Sequence, residues 1–307
     1  MKRIVIIPIT LMTFALTGCS LISNLISGGK KSEPKFENRG EEVSAEEYNT
    51  EFQAAIKDSK LYYDKDVHLE SLTATLSAYM KQTTKTEDQG NKGNSVLEMD
   101  GDSTYKYNSK NLVANTSSKV NYKQTQKDAY TNGETTVTMK QDNTIQIEDH
   151  KLYNVNNTSK QYSVTDVPAL LSDEQMMDNT IYSAMSDLFV VPSTYLNDET
   201  KYFVNGKIFT VAIEVSEEVT LKDYYDNAYG KREHIVTGNY QFNLKDGKYS
   251  MKFSIKETRN TRYTKDYGSY HEGQFEEYNA ESFETVSVKF GSNNLKAQDI
   301  SGYTKIS

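Results

Sequence analysis

The sequence predicts an α+β fold, in which an antiparallel sheet is accompanied by an N-terminal helix and a central helix. Two amphipathic helix patterns open with capping boxes, and many short runs alternate apolar with polar residues. Turn-forming residues separate those runs. Strands that are apolar on one face and polar on the other are typical of an antiparallel sheet with one wet side.

The composition of the 307-residue chain excludes several classes of protein. The balance of 35 Lys and Arg against 43 Asp and Glu argues against binding to nucleic acid, because affinity for phosphate comes largely from basic side chains. A single Cys excludes a disulfide framework and a thiolate zinc cage. A mean hydropathy of −0.71 leaves no room for a multi-span membrane protein. The apolar and aromatic content is too high for a disordered chain.

The first helix is predicted over residues 44–60. Ser44 opens a capping box, and Tyr48, Phe52 and Ile56 then repeat at helical spacing. This pattern indicates a helix of about four turns with one apolar face.

Strand patterns occupy most of the chain between the two helices. The segment 72–80 favours a half-buried strand, although some of its apolar residues also fit a helical face. Alternation resumes after a polar loop at 87–94 and continues to residue 164. Turns are expected at Asp142-Asn143 and at Asp149-His150, where turn-forming side chains separate short strand patterns.

The central helix is predicted over residues 173–190, after a second capping box that starts at Ser172. It carries the most hydrophobic stripe of the chain after the N-terminal leader. We therefore expect it to lie against the sheet as a lid or plug. The stripe consists of Met177, Ile181, Ala184, Met185 and Leu188.

The last third of the chain returns to strands. Alternation is clearest over 208–215, 236–244 and 249–255. Asp246-Gly247 lies between the last two runs and predicts a hairpin with a type I′ turn, because both residues tolerate a positive φ.

The N-terminus has the features of a secretory leader. An apolar run from Ile4 to Leu16 follows the basic Lys2 and Arg3, and it is shorter than the roughly 20 residues that a spanning helix needs. The sequence Leu-Thr-Gly-Cys at 16–19 resembles the bacterial lipobox. This resemblance implies that residues 1–18 are removed and that Cys19 carries the acyl chains, which would anchor the protein on the extracytoplasmic face of a cell membrane.

Three regions follow from this interpretation: a signal peptide at 1–18, a lipidated Cys with a flexible tether at 19–43, and a folded domain at 44–307. Removal of Lys2 and Arg3 leaves 33 basic and 43 acidic side chains, so no polybasic patch assists the lipid anchor. The Gly- and Ser-rich composition up to residue 40 favours a tether that lets the folded domain stand away from the bilayer.

No catalytic or metal-binding pattern emerges from the sequence. The four histidines at 68, 150, 234 and 271 lie far apart and are expected on surfaces or turns. The motifs of nucleophile elbows, phosphate loops and zinc proteases do not occur. Weak calcium binding at 100–102 or at 223–227 is conceivable from the carboxylates, but turns with solvated acids fit better. We therefore expect neither an enzyme nor a cofactor.

Two stretches, 222–229 and 262–278, are dense in tyrosine. Such rings stack on sugars or contact protein partners, since Tyr combines an apolar face with a hydroxyl group. They also flank strand ends in ordinary sheets, and this second interpretation is favoured because Tyr is a strong strand former. The residues concerned include Tyr224, Tyr225, Tyr267 and Tyr270.

The order of these elements behind a lipobox resembles the half-barrel lipoprotein superfamily, which includes the LolA and LolB lipoprotein carriers and the mycobacterial LppX type. The resemblance covers residues 44–300 and rests on element order and the lipobox, without a shared motif. It implies a strongly curved antiparallel half-barrel, with the N-terminal helix and the central helix packed on its concave face around an apolar cavity that receives acyl chains.

The residues that would line such a cavity follow from the alternation of the strands and from the stripe of the central helix. Each of them would also suit an ordinary core. They are Leu72, Leu76, Leu97, Met99, Val137, Met139, Phe209, Val211, Ile213, Phe242, Met251 and Phe253 on the strands, with Met177, Ile181, Met185 and Leu188 on the helix.

The sequence thus favours two functions, and it favours an enzyme, such as a glycosidase with a carboxylate pair across a cleft, least. In the first, a membrane-anchored protein binds a lipid or another apolar ligand between sheet and helices. In the second, a surface module binds an envelope protein or a wall glycan through its Tyr-rich loops. No nucleic-acid partner is expected.

Overall fold

The computed structural model describes residues 31–62, 68–127, 132–186 and 190–306. Within these ranges the chain forms one large, curved and unclosed sheet of 13 strands, with two α-helices. The predicted α+β class and the predominantly antiparallel sheet are confirmed. Within the same ranges, no helix combines the length and the apolar character that crossing a membrane requires.

The helices are α1, Ala45–Lys57, and α2, Asp173–Ser186, and a single 3-10 turn covers Ser193–Tyr195. The strands in chain order are β1 Glu41–Val43, β2 Leu72–Asp88, β3 Asn91–Asn108, β4 Val113–Lys127, β5 Asn132–Glu148, β6 Lys151–Asn156, β7 Gln161–Asp166, β8 Lys201–Asn205, β9 Ile208–Lys222, β10 Ala228–Asn243, β11 Tyr249–Tyr263, β12 Phe275–Phe290 and β13 Thr304–Lys305.

The strands lie in the order β1-β8-β9-β10-β11-β12-β2-β3-β4-β5-β6-β7-β13. The neighbours are antiparallel except β13, which runs parallel to β7. Of the strands described, eight have 15 to 18 residues and are therefore about 50 Å long or longer. Their length exceeds what two short helices can cover, so part of the sheet lies outside the helix-packed core.

Both helices pack on the same face of the sheet, which we call the helix face. Tyr48 and Phe52 of α1 contact Phe209, with ring centroids 5.7 and 5.2 Å away, and Phe52 also lies 5.2 Å from Phe242. The α2 residue Met177 is fully buried in the same cluster of apolar side chains. The core of the protein therefore lies between this face and the two helices.

The opposite face of the sheet is crossed by the segment 31–40, within the region that the sequence assigns to the tether. Lys31 contacts Ser77 on β2 and Asp102 on β3, and Glu37 exchanges hydrogen bonds with Gln241 on β10. The segment ends at Gly40, whose φ is +83° and where a Cβ would lie 2.2 Å from the carbonyl oxygen of Val204. Only glycine fits at this point, where the chain turns into β1 at the sheet edge.

The C-terminal segment crosses the strands that lie between β2 and β7 in the sheet. The Asn293 amide donates to the carbonyl oxygens of Leu72 and Tyr107, and the Gln298 backbone N–H donates to the Gln146 side chain. The segment then pairs with β7 as β13. Short terminal strands thus occupy both edges of the sheet. Short edge strands expose few unpaired backbone groups, which reduces aggregation through strand pairing with other chains.

The first helix is shorter than predicted. α1 ends at Lys57, not at residue 60, because the backbone N–H and hydroxyl of Ser59 both donate to the Ile56 carbonyl and close the last turn. The described part of α2 ends at Ser186. Its capping box is present in full, since Ser172 and Gln175 each donate a backbone N–H to the other's side chain.

Two predicted turns lie inside strands instead. Asp142-Asn143 is part of β5, where Asn115 and Asn157 both donate side-chain hydrogen bonds to the Asp142 carboxylate. The segment 100–102 is part of β3, where the Asn121 amide donates to Asp100. Hydrogen-bond donors on neighbouring strands satisfy these polar side chains, so they do not need the solvent of a turn.

Two other turns are found where they were expected. Asp149-His150 joins β5 to β6, and both residues have a positive φ, as a type I′ turn requires. Asp246-Gly247 lies in the hairpin between β10 and β11, but of this pair only Gly247 has a positive φ. The hairpin is confirmed there, whereas the type I′ turn is wrong, because the connection is five residues long.

Candidate functional site

The register of the long strands defines rows of side chains across the helix face. Two rows matter here because they leave the helix-packed core and continue over β2 to β5. The middle row consists of Tyr240, Phe253, Glu284, Ala78, Gly101, Val120 and Met139 on β10, β11, β12, β2, β3, β4 and β5. The outer row, two residues further along each strand, consists of Gly238, Ile255, Ser282, Met80, Met99, Tyr122 and Val137.

The structure places the strand residues of the predicted cavity on the helix face, but it divides them into two groups. Eight of them belong to the closed core together with Met177 and Ile181 of α2, where none is more than 8% exposed. Side chains packed this closely stabilise the fold, and they leave little room for a ligand. The eight are Leu72, Leu76, Phe209, Val211, Ile213, Phe242, Met251 and Phe253.

The second group lies outside the helix-packed core. Leu97 and Met99 on β3 pack against a separate cluster that contains Met80, and in the described ranges no helix residue belongs to this cluster. Val137 and Met139 lie two strands away on β5, with β4 between them and β3. We call this surface the β2–β5 strip. It consists of Met80, Leu97, Met99, Val120, Val137 and Met139.

The strip is apolar and only partly covered. Met80 and Val137 are buried, whereas Leu97, Met99 and Met139 are half-buried. Methionine side chains are flexible and polarizable, which suits contact with apolar ligands of variable shape. A half-covered apolar surface next to a closed core is the kind of place where an apolar ligand binds.

Three predicted residues lie outside what the structure describes. Cys19 precedes the described ranges, Leu188 falls in the gap at 187–189, and the side chain of Met185 is not described.

Glu284 lies on β12, next to the β2 end of the strip. Its carboxyl group is buried in the core. It is 1% exposed, and its Oε1 atom has no hydrogen-bond partner among the described residues. Burial raises the pKa of this carboxyl to about 7. Because a buried polar group without a partner is rare in native structures, Glu284 calls for a functional explanation.

A cluster of charged residues lies on the helix face beyond the strip, on β9 to β11. Glu257 is 4% exposed, and its Oε1 atom lies 3.0 Å from Nε2 of His234 and 3.1 Å from Nε of Arg259. Glu217 lies 2.9 Å from the other ring nitrogen of His234. Hydrogen bonds from the His234 ring to these carboxylates, first to Glu257, raise the pKa of His234. The guanidinium of Arg259 also lies 3.9 Å from the ring of Tyr278.

The other three histidines each lie beside a carboxylate in a different part of the molecule. His68 lies 3.0 Å from Asp178, His150 lies 2.8 Å from Asp173, and His271 lies 2.8 Å from Asp88. Over the part of the chain that the structure describes, no three His, Cys, Asp or Glu side chains come together in a way that could hold a metal ion.

The Tyr-rich loops lie at one end of β10 and β11. Four of the rings stack in a column, with centroid distances of 4.3 to 6.3 Å: Tyr267, Tyr229, Tyr263 and Tyr270. These rings close the hairpin ends, which is the structural role that the sequence favours. Tyr224 and Tyr225 differ, since they are 92% and 81% exposed and contact each other edge to face.

Sequence reasoning missed Glu284, although a signal was present. Along β12 the helix face carries Val288, Val286 and then Glu284, so a carboxylate occupies an apolar position of the alternation. A polar residue at a core position of a strand destabilises the fold, so its presence suggests a function.

Fold and site together define a large curved antiparallel sheet with helices on one face and an apolar strip beside them. No protein-family model matches the chain, and no curated protein does. A lipovitellin structure concerned with lipid–protein interactions shares 11% identity at a TM-score of 0.32, and the match covers 74% of this chain and 26% of lipovitellin.

Two Pseudomonas aeruginosa proteins, OccK7 (OpdD) and OccK5 (OpdH), match with TM-scores of 0.20 and 0.21. Their identities are 6% and 8%, and each match covers 71% of this chain and 98% of the other. All these TM-scores lie below 0.5, so nothing about ligand or activity follows from them.

Proposed function

We propose that this protein is a membrane-anchored extracytoplasmic lipoprotein that binds a lipid or another apolar ligand on the helix face of its sheet. In this proposal the helix face is the concave face of a half-barrel, and α1 and α2 close one part of it. The β2–β5 strip receives the ligand. The protein acts as a binding protein and not as an enzyme.

The observation that carries the proposal is the half-covered apolar strip outside the helix-packed core. A sheet face that served only to fill a core would be covered over its whole apolar area. Here Met99 and Met139 retain partial exposure, although they lie in the outer and middle rows that begin in the core. Leu97, two residues beyond Met99 on β3, is half-buried as well. A membrane anchor at Cys19 would keep such a site close to a supply of lipid.

Placing a carboxylate in the strip is expected to weaken binding. The full-length protein is titrated with the neutral fluorescent probe 1-N-phenylnaphthylamine, and Met139→Glu is compared with the parent chain. Burying an unpaired charge against an apolar ligand is costly, so we expect affinity to fall at least about tenfold.

A matched control is available on the same strand. Thr136→Glu adds the same charge to β5 on the opposite face, and it should bind the probe as the parent chain does. A parent chain that does not bind the probe, or a Met139→Glu variant that binds equally well, would contradict the proposed site.

A second candidate function rests on the exposed pair Tyr224 and Tyr225. Two neighbouring tyrosines at 92% and 81% exposure present apolar rings to solvent at a loop tip, as in surfaces that bind sugars or proteins. In this alternative the protein is a surface module that binds an envelope protein or a wall glycan.

Removal of both rings tests the alternative. Tyr224→Ala with Tyr225→Ala is expected to reduce co-sedimentation with purified cell-wall polysaccharide about tenfold, since each stacked ring contributes about 0.5–1.5 kcal/mol. Probe binding at the strip should not change. Equal co-sedimentation of the double variant and the parent chain would remove this candidate for glycans.

A further inference from the structure

Among the described residues, none forms a hydrogen bond with the buried Oε1 atom of Glu284. Its neighbours in register are Phe253 on β11 and Ala78 on β2, and the residues two positions away on its own strand on this face are Val286 and the buried Ser282. Burial alone accounts for the raised pKa of the carboxyl, with no contribution from a basic group. Of the polar groups in this region, Tyr240 on β10 is close enough to interact with it electrostatically. A buried carboxyl in such surroundings is costly unless something binds it.

The middle row continues from Glu284 over the smallest side chains of the helix face. Ala78 and Gly101 follow it on β2 and β3, and both are buried. Val120 and Met139 come next on β4 and β5. The register places the larger outer-row residues Met80 and Met99 beside this small pair. From these side-chain sizes we expect the middle row to lie lower than the outer row, as the floor of a shallow groove across the strands.

The length of this groove matches an acyl chain. Three strand spacings separate Ala78 on β2 from Met139 on β5, which gives roughly 14 Å. A bilayer core about 30 Å thick holds two layers of acyl chains, so one chain spans about 15 Å. An extended chain lying on the floor would therefore reach from the Met139 end to a polar head beside Glu284.

We infer that Glu284 is the headgroup contact of the binding site and that it selects single-chain lipids whose head donates a hydrogen bond, such as a hydroxyl or an ammonium group. The inference rests on the proposed function. The head would have to displace the side chains that bury Oε1, and this unpartnered atom then accepts its hydrogen bond. The tail lies over Ala78, Gly101 and Val120 toward Met139.

The chemistry of the head separates favourable from unfavourable ligands. A hydroxyl or ammonium group supplies the missing donor, and an ammonium group also neutralises the carboxylate. A carboxylate or phosphate head would place a second anion beside Glu284 in a region shielded from water. A plain hydrocarbon would leave the Oε1 atom of Glu284 without a hydrogen-bond donor.

A series of ligands with one chain length tests this selection. Bound 1-N-phenylnaphthylamine is displaced from the full-length protein at pH 8 by submicellar 1-dodecanol, dodecylamine, laurate and dodecane. We expect dodecylamine and dodecanol to displace the probe at concentrations about tenfold lower than laurate, since a hydrogen bond to a charged group is worth that much or more. Equal displacement by alcohol, amine and acid would overturn the inference.

Substitutions at Glu284 provide a second test of the headgroup contact. Glu284→Gln keeps an accepting oxygen without the charge, so it should retain the preference for dodecanol over dodecane and lose the preference for the amine over the alcohol. Glu284→Leu should lose both preferences and still bind the probe. Glu281→Gln, on the opposite face of the same strand, should behave as the parent chain.

The outcomes separate this inference from the function on which it rests. If no compound displaces the probe, or if the probe does not bind, the strip is not a lipid site and both proposals fail. If the probe binds and Glu284→Leu retains the full preference for hydrogen-bond donors, the headgroup assignment alone is wrong.

Discussion

Replacement of Phe242 by alanine is expected to lower the free energy of unfolding by about 3–5 kcal/mol. Phe242 is 1% exposed and joins the sheet to α1, because its ring lies 5.2 Å from that of Phe52. Its neighbours in register, Phe209 and Met251, are equally enclosed. Truncation would leave a cavity that the long strands of the sheet cannot collapse to fill.

Urea unfolding followed by circular dichroism measures this loss. Tyr224→Ala is the matched control, since it removes an aromatic ring that is 92% exposed and should change stability by no more than about 0.5 kcal/mol. A loss below about 1 kcal/mol for Phe242→Ala would show that α1 does not pack on the sheet in this way.

Replacement of Glu284 by glutamine is expected to stabilise the protein at pH 8 by about 3 kcal/mol. The folded-state pKa of about 7 lies above the ordinary value of 4.5, so the folded state binds the proton more tightly than the unfolded state. The cost of ionising Glu284 therefore grows as the pH rises from 4.5 and is complete above pH 7. Glutamine removes that cost.

Unfolding free energies of the parent chain and of Glu284→Gln between pH 4.5 and pH 8 measure the effect. The gain should shrink steadily as the pH falls and should nearly vanish at pH 4.5. Glu281→Gln, on the opposite face of the same strand, should show no such trend. A pH-independent gain, or a loss at pH 8, would mean that Glu284 is already paired in the folded protein.

Local patterns in the sequence predict the elements of this fold well. The Ser44 and Ser172 capping boxes lie where α1 and α2 begin, and the Asp149-His150 turn and the Asp246-Gly247 hairpin are found in place. These signals depend on contacts between residues that are close in the chain, so a pattern of a few residues suffices to detect them.

The length of the strands was not predictable in the same way. The segment 87–94 looks like a polar loop, yet β2 and β3 extend through most of it and turn only at Gln89-Gly90, where both residues have a positive φ. Cross-strand hydrogen bonds between polar side chains, as between Asn121 and Asp100, make such strands stable. These contacts join distant parts of the chain and leave no local signal.

The candidate site, too, could be predicted only in part from local patterns. Alternation identifies Leu97, Met99, Val137 and Met139 as residues of one sheet face, and the structure brings them onto β3 and β5. Alternation does not distinguish residues that helices cover from residues that they leave accessible. Whether Phe209 or Met139 faces a ligand depends on where α1 and α2 lie, and that is a property of the whole chain.

Native mass spectrometry of the full-length protein, extracted from the membrane of its own cells, measures whether the protein carries a lipid. We expect one bound single-chain lipid per folded domain, lost in Met139→Glu and retained in Thr136→Glu. A parent chain without bound lipid, or with equal occupancy in both variants, would contradict this expectation.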